Sequence, residues 1–341
     1  MRDLLDRPLR DLRISVTDRC NLRCRYCMPR EVYGPEHVFL AREELLSFDE
    51  IARLARVLAA QGVDKLRLTG GEPLLRPQLE RLVELLVGID GIDDVALTTN
   101  GLLLAAKARA LADAGLSRVT VSLDALDDQT LRALADAPIS AARVLEGIDA
   151  AVEAGLEPVK VNMVVRRDCN EDCVLAMAEH FRGRPQVLRF IEYMDVGHTN
   201  GWTREDVVSA AEIRATIGAR WPLEPVAPDR PGEVATRYRY RDGEGEIGLI
   251  HSVSEPFCAS CSRARLSADG KLFTCLFARS GHDLRAPLRE GASDDELAER
   301  TRAIWSGRGD RYSAERAAHE RTNPPPVSEQ PLKVEMSYIG G

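Results

Sequence analysis

Short runs of β-branched and alternating apolar residues recur through the first two-thirds of the chain, each followed by a longer amphipathic stretch. Runs at residues 12–17, 65–69, 95–99, 118–123, 159–165 and 186–192 are bounded by turn-formers and predict strands. Between the first two, Ser47-Phe48-Asp49-Glu50 reads as a capping box, and Ile51, Leu54, Ala55 and Leu58 then fall on one helical face. Further helices are expected at residues 78–87, 105–114, 141–154 and 171–181, two of them closed by Gly115 and Gly155 just before the next strand. Strand–helix alternation repeated six times predicts a parallel sheet with right-handed crossovers.

The unusual residues cluster at the carboxyl ends of these strands. Cys20–Cys27 follow the first, Gly70-Gly71-Glu72-Pro73 the second, Asn100-Gly101 the third, Asp124 the fourth and Tyr193-Met194-Asp195 the sixth. That distribution fits the active face of a (β/α) barrel, and six units predict a partial, open (β/α)6 barrel of the TIM type over residues 1–221. Beyond Trp221 the texture changes. Pro222, Pro225, Pro228 and Pro231 precede two expected hairpins, 236–241 with 246–250 and 263–268 with 271–276, so residues 222–341 read as a smaller C-terminal domain.

Eight cysteines without an export-type N-terminus point to reduced thiols in the cytoplasm, available to a metal. A net charge of −8 gives no global field for nucleic acid, and no apolar run approaches the ~20 residues of a membrane helix. Cys20, Cys24 and Cys27 form one three-thiol set; Cys258, Cys261 and Cys275 form a second. A closed zinc site or an ordinary iron–sulfur cluster takes four protein ligands. Three would leave one metal position open, and a zinc site with a distant fourth ligand stays an alternative for each set. A two-residue turn at Asp269-Gly270 would place Cys275 opposite Ala264, beside Cys261 but on the face away from Arg263 and Arg265. On that register, a shared pocket demands a bend near Cys261. The pair Gly70-Gly71 would let a ligand approach backbone, with Glu72 free to accept from an ammonium group. Cys169, Cys173 and the histidines read as incidental. The terminal segment 334–339 has β-type spacing suited to docking, which would carry Gly340-Gly341 into a crowded pocket.

Cys20-x3-Cys24-x2-Cys27 with Tyr26 inside it, together with Gly70-Gly71-Glu72-Pro73, resembles the radical S-adenosylmethionine superfamily. The words Thr17-Asp18-Arg19-Cys20-Asn21, Tyr26-Cys27-Met28-Pro29, Thr98-Thr99-Asn100-Gly101, Val121-Ser122-Leu123-Asp124, the second cysteine set and the Gly-Gly end are similar to the GTP 3′,8-cyclase family, which opens molybdenum cofactor synthesis. The resemblance runs from Arg10 to Gly341 and implies two [4Fe–4S] clusters, one on each set. It also implies S-adenosylmethionine as cosubstrate at the first cluster and guanine held at the second. A 5′-deoxyadenosyl radical would take hydrogen from C3′ of GTP, and the ribose would then close onto C8. By the same resemblance Tyr26, Gly71, Ser122 and Met194 would line the S-adenosylmethionine pocket. Arg13, Arg67, Thr98, Lys160, Arg263 and Arg265 would meet GTP, and Gly340 and Gly341 would act in catalysis. The implied partners are an electron donor, a downstream cyclic pyranopterin monophosphate synthase and, as an option, a second copy of the chain, with neither nucleic acid nor membrane. A peptide-modifying radical enzyme with an auxiliary cluster is the competing reading.

Overall fold

The structure is a computed structural model describing residues 1–228, 232–319 and 332–340. Six strands run parallel in sequence order: β1 (Asp11–Ser15), β2 (Lys65–Thr69), β3 (Asp94–Thr99), β4 (Arg118–Ser122), β5 (Lys160–Val165) and β6 (Val187–Glu192). The helices between them are α1 (Phe48–Ala59), α2 (Leu79–Val87), α3 (Leu104–Asp113), α4 (Asp128–Ala135), α5 (Ala141–Glu153) and α6 (Val174–Phe181). α1 starts on the expected capping box: Ser47 Oγ accepts from Glu50 N (3.1 Å) and Glu50 Oε2 from Ser47 N (2.7 Å). The stretch expected as one helix over 171–181 splits into a 3₁₀ turn, Glu171–Cys173, and α6.

The remaining elements are α7 (Ala210–Arg220), β7 (Leu223–Val226), β8 (Thr236–Tyr240), β9 (Glu246–Ile250), β10 (Arg263–Leu266), β11 (Lys271–Phe273), β12 (His282–Asp283), α8 (Arg285–Arg289), α9 (Asp294–Ser306), α10 (Tyr312–His319) and α11 (Met336–Ile339). The strands after residue 222 extend the same sheet at both edges. β9 pairs parallel with β6, β10 pairs parallel with β1, and the described strands form one twelve-stranded sheet in the order β12-β11-β10-β1-β2-β3-β4-β5-β6-β9-β8-β7. The tail spacing that looked β-type forms α11 instead. A single turn of helix buries Ser337 and Ile339 against the body without needing a strand partner.

The period-two alternation of each strand sorts its side chains into two environments. Leu12, Ile14, Leu66, Leu68, Val119, Val121, Val161, Met163, Leu188 and Phe190 pack outward in a single apolar core with the helices. Their neighbours Arg13, Arg67, Thr98, Thr120, Lys160, Asn162 and Arg189 point inward. The barrel interior is therefore an open cavity of about 710 Å³ into which these polar side chains project, where TIM barrels usually carry layers of packed side chains.

Candidate active site

The first thiol set rides on a loop fixed from both sides. Leaving β1, the chain pairs Arg23 N with Ala135 O (3.0 Å) and Arg25 N with Leu134 O (3.1 Å), so the end of α4 holds the flanks of Cys24. The Cys24 carbonyl accepts from Cys27 N (2.9 Å) and Met28 N (2.8 Å), which turns Cys27 back toward Cys24. On the other side Gly71 N donates to Thr17 O and Glu72 N to Arg19 O, both at 2.8 Å. A Cβ at Gly71 would stand 2.4 Å from Arg19 O, and one at Gly70, whose φ is +151°, 2.5 Å from Thr17 O. The two glycines therefore let the β2 loop close directly on the cysteine loop. Glu72 is not the free acceptor expected. Its carboxylate takes Leu74 N (2.9 Å), Thr99 Oγ1 (2.7 Å) and Asn100 N (2.8 Å), binding the β2 and β3 loops together. Burial pushes the thiols of Cys24 and Cys27 up and lifts Cys20 to about 11.

The second set faces the same cavity, and a register shift explains how. β10 and β11 pair Arg265 with Phe273 and Leu266 with Leu272. The turn therefore spans Ala268-Asp269-Gly270, one residue longer than expected, with Gly270 at φ +85° and Lys271 N bonded to Ser267 Oγ (2.9 Å). Shifting a strand by one residue turns every side chain over. Carried two residues further, this register sets Cys275 opposite Arg263, on the arginine face, and no bend near Cys261 is required. Burial raises the Cys261 thiol, but Arg263 and Arg308 outweigh it and bring the group down to about 6. Burial and then Asp310 push Cys275 up to about 12.

Between the two sets lies a layer of cations. Arg13 on β1 sits abreast of Arg265 on β10 and Arg67 on β2, so three guanidiniums share one level of the wall. Arg67 Nη1 donates to Thr98 Oγ1 (3.1 Å) and Thr120 Oγ1 (3.2 Å). Burial, then the neighbouring Arg265, drags the Arg13 pKa well below its ordinary value, and Arg13 Nε is buried without a partner. Lys160 falls to about 7 through burial and then Arg189. A buried layer of like charges costs free energy unless an anion joins it. Asp11 at the edge of the layer offsets part of that charge on Arg13 and Arg67.

Tyr26, Gly71, Ser122 and Met194 all line the cavity. Tyr26 Oη donates to Asp124 Oδ2 (2.8 Å), and burial lifts Asp124 to about 6. Gly340 reaches the wall from the tail: its carbonyl accepts from Arg265 Nη1, and a Cβ there would run into Thr69 at 2.3 Å. Gly341 lies outside the described residues.

Residues 14–181 match the radical SAM superfamily and residues 186–314 the family described as Molybdenum Cofactor Synthesis C. A GTP 3′,8-cyclase from Acidothermus cellulolyticus is 55% identical to the chain, spanning 100% of it and 99% of that relative. A GTP 3′,8-cyclase from Staphylococcus aureus is 49% identical over the same shares. The chain belongs to the GTP 3′,8-cyclase family. Among solved structures, Streptococcus suis SuiB bound to precursor peptide SuiA superposes with a TM-score of 0.64 at 13% identity, covering 93% of this chain and 67% of that one. At that identity the likeness speaks for the fold alone.

A GTP 3′,8-cyclase fold implies two [4Fe–4S] clusters, and the thiols fit them. All eight cysteines are free, and each set brings three buried or half-buried sulfurs to the cavity wall. Among the described residues no three of His, Cys, Asp or Glu converge on the position of a single metal ion. A cluster makes no such demand, because each thiolate meets its own iron. Cys169 is exposed, Cys173 lies 3.6 Å from Asp127 Oδ2, and neither lines the cavity.

Three positions at or beside the cavity, Arg189, Lys333 and Arg308, escaped the sequence reading, and the partner of Asp195 did too. Arg189 on β6 enters the cation layer beside Gly248, where a Cβ would stand 2.9 Å from Arg189 Cγ, and its Nε donates to Asn162 Oδ1 (2.9 Å). A polar residue alternating with Leu188 and Phe190 was the available signal. Asp195 and Lys333 pair across the tail (2.7 Å), and Arg308 touches the second thiol set. Nothing local marks Lys333 or Arg308, because their partners lie far along the chain.

Proposed function

We propose that this chain cyclises GTP to (8S)-3′,8-cyclo-7,8-dihydroguanosine 5′-triphosphate, the first step of molybdenum cofactor synthesis. The observation carrying the reading is one cavity with a three-thiol set at each end and a row of guanidiniums between. Cys20, Cys24 and Cys27 would hold one [4Fe–4S] cluster; Cys258, Cys261 and Cys275 would hold the other. When bound, the first cluster with S-adenosylmethionine supplies the radical that takes hydrogen from C3′ of GTP, and the second supplies an open iron for guanine.

The protein's part is placement and exclusion. Tyr26, Gly71, Ser122 and Met194 would seat S-adenosylmethionine, with Tyr26 fixed by Asp124. Arg13, Arg67, Thr98, Lys160 and Arg189 would take the triphosphate and neutralise it, leaving Arg263 and Arg265 beside the base and the second thiols. The Gly340 carbonyl on Arg265 would close the pocket with backbone that a side chain could not thread, and Gly341 would continue it. An electron donor, a downstream cyclic pyranopterin monophosphate synthase and a cytoplasmic location complete the reading, with a homodimer as an option.

Anaerobic incubation with S-adenosylmethionine, a reductant and each nucleoside triphosphate in turn tests it. Deoxyadenosine together with a cyclised guanine nucleotide from GTP alone is expected. Cleavage indifferent to the nucleotide, or a modified peptide as the only product, would sink the reading.

A further inference from the structure

The two thiol sets differ in which charged groups touch their sulfurs directly. Around the first, the Cys20 sulfur accepts from the backbone N–H of Leu22 (3.4 Å), while Asp124 is bonded to Tyr26 inside the cysteine loop and Glu72 lines the same cavity. Around the second, Cys261 Sγ accepts from two guanidiniums, Arg263 Nη2 (3.5 Å) and Arg308 Nη2 (3.4 Å).

Arg308 follows α9 and is 4% exposed. Every nitrogen of its fork is committed. Nη1 donates to Cys261 O (2.8 Å) and reaches Asp3 Oδ2 (3.5 Å), Nε donates to Asp310 Oδ1 (3.0 Å), and the plane stacks on Trp305 at 4.5 Å. Arg7 donates to Cys258 O (2.9 Å) and Asp3 (2.6 Å), so the N-terminal segment and the end of α9 grip the cysteine loop together. Asp310 in turn accepts from Thr274 Oγ1 (2.7 Å), next to Cys275. Two of these contacts reach the Cys261 sulfur itself and not only the loop backbone.

We propose that Arg308 is a positioning residue that sets the electron affinity of the second cluster, keeping its reduction potential above that of the first. Positive charge and N–H donors on a ligating sulfur favour the more negative, reduced cluster, while carboxylates oppose it. Arg308 thus divides the labour: the Glu72–Asp124 side stays strongly reducing, and the Arg308 side stays a mild centre suited to holding a base. This rests on the second set carrying an iron–sulfur cluster, as proposed above.

The test is a redox titration of the reconstituted full-length protein followed by electron paramagnetic resonance. The second cluster's signal is assigned in a Cys20/Cys24/Cys27 triple alanine variant. Arg308→Gln should shift the second midpoint to lower potential and Asp310→Asn to higher, with the first midpoint unmoved; Arg308→Lys, which keeps the charge, should shift it less than Arg308→Gln. Opposite signs from two neighbours in one network are not what a loosened loop produces. Unchanged midpoints, or shifts of the same sign in Arg308→Gln and Asp310→Asn, overturn the proposal. So does loss of iron from the second set in both Arg308→Gln and Arg308→Lys. Zinc in the wild-type second set would bring down the cluster reading itself, and the proposal with it.

Discussion

Arg265, on the strand that runs beside β1, donates through Nη1 to the backbone carbonyl of Gly340 at the far end of the chain. One guanidinium thereby links the second thiol set, the cation row and the tail. Arg265→Lys keeps the charge but loses the planar fork. A charge-assisted hydrogen bond contributes about 1.5–3 kcal/mol, so GTP binding should weaken by roughly tenfold or more, with iron content unchanged. Titration of GTP into the reconstituted variant checks this; wild-type affinity would make Arg265 a spectator.

The tail's anchor lies elsewhere. Lys333 Nζ donates to Asp195 Oδ2 (2.7 Å) and stands 4.5 Å from the Tyr312 ring, and His198 N donates to Glu335 Oε1 (3.0 Å). Removing one partner of a buried pair costs about 3–5 kcal/mol when the other charge is left unpaired, and less here, because Arg316 and Tyr312 stay on Asp195. Lys333→Met should therefore release the tail to carboxypeptidase and suppress cyclisation while both clusters stay in place. Deleting Gly340 and Gly341 should also suppress cyclisation, but with Lys333 still docked. Full turnover after that deletion would show the glycines to be dispensable.

Lys160 gives the reaction a proton signature. Burial first, then Arg189, Arg118, Arg67 and Lys65, hold it near 7 in the unliganded protein. A bound triphosphate favours the charged ammonium and raises that pKa, so binding above pH 7 must draw a proton from solution. Affinity should fall as pH climbs from about 7 toward the ordinary lysine range. Calorimetry in buffers of different ionisation enthalpy should register uptake of up to one proton, and Lys160→Met should abolish it. Uptake persisting in the variant would assign the proton to another group.

The cysteine sets should fail differently. Cys24→Ala should end cleavage of S-adenosylmethionine, whereas Cys275→Ala should spare part of it and lose cyclisation, because the substrate is no longer placed. Deoxyadenosine and cyclised nucleotide, measured side by side, separate the two outcomes. Cys169→Ser and Cys173→Ser should leave iron and turnover alone, since neither thiol lines the cavity.

The parallel strands were legible because Leu12, Ile14, Leu66 and Leu68 must leave water for one face, which fixes strand identity from local spacing. The cysteine triads were legible because their members are close in sequence. The face of Cys275 was not. It turns on whether the β10–β11 turn holds two residues or three, and both Asp269 and Gly270 suit either. The pairing of β10 with β1 and the grip of Arg308 on Cys261 span hundreds and tens of residues respectively, and no period along the chain records them. Glu72 was misjudged for a related reason: its partners Thr99 and Asn100 come from the next strand's loop.

Because β10 lies parallel to β1, with Arg263 beside Asp11, Cys261 precedes the amino end of this strand pair and Cys20 follows its carboxyl end. The gap between the two sites is thus measured out in peptide units along one ladder, at about 3.3 Å each. The strand pair is a ruler. A nucleotide held at one end would have to bring its ribose within reach of what is bound at the other. Two residues added to both strands would stretch that ruler by roughly 7 Å, leaving each site whole and the substrate too short to bridge them.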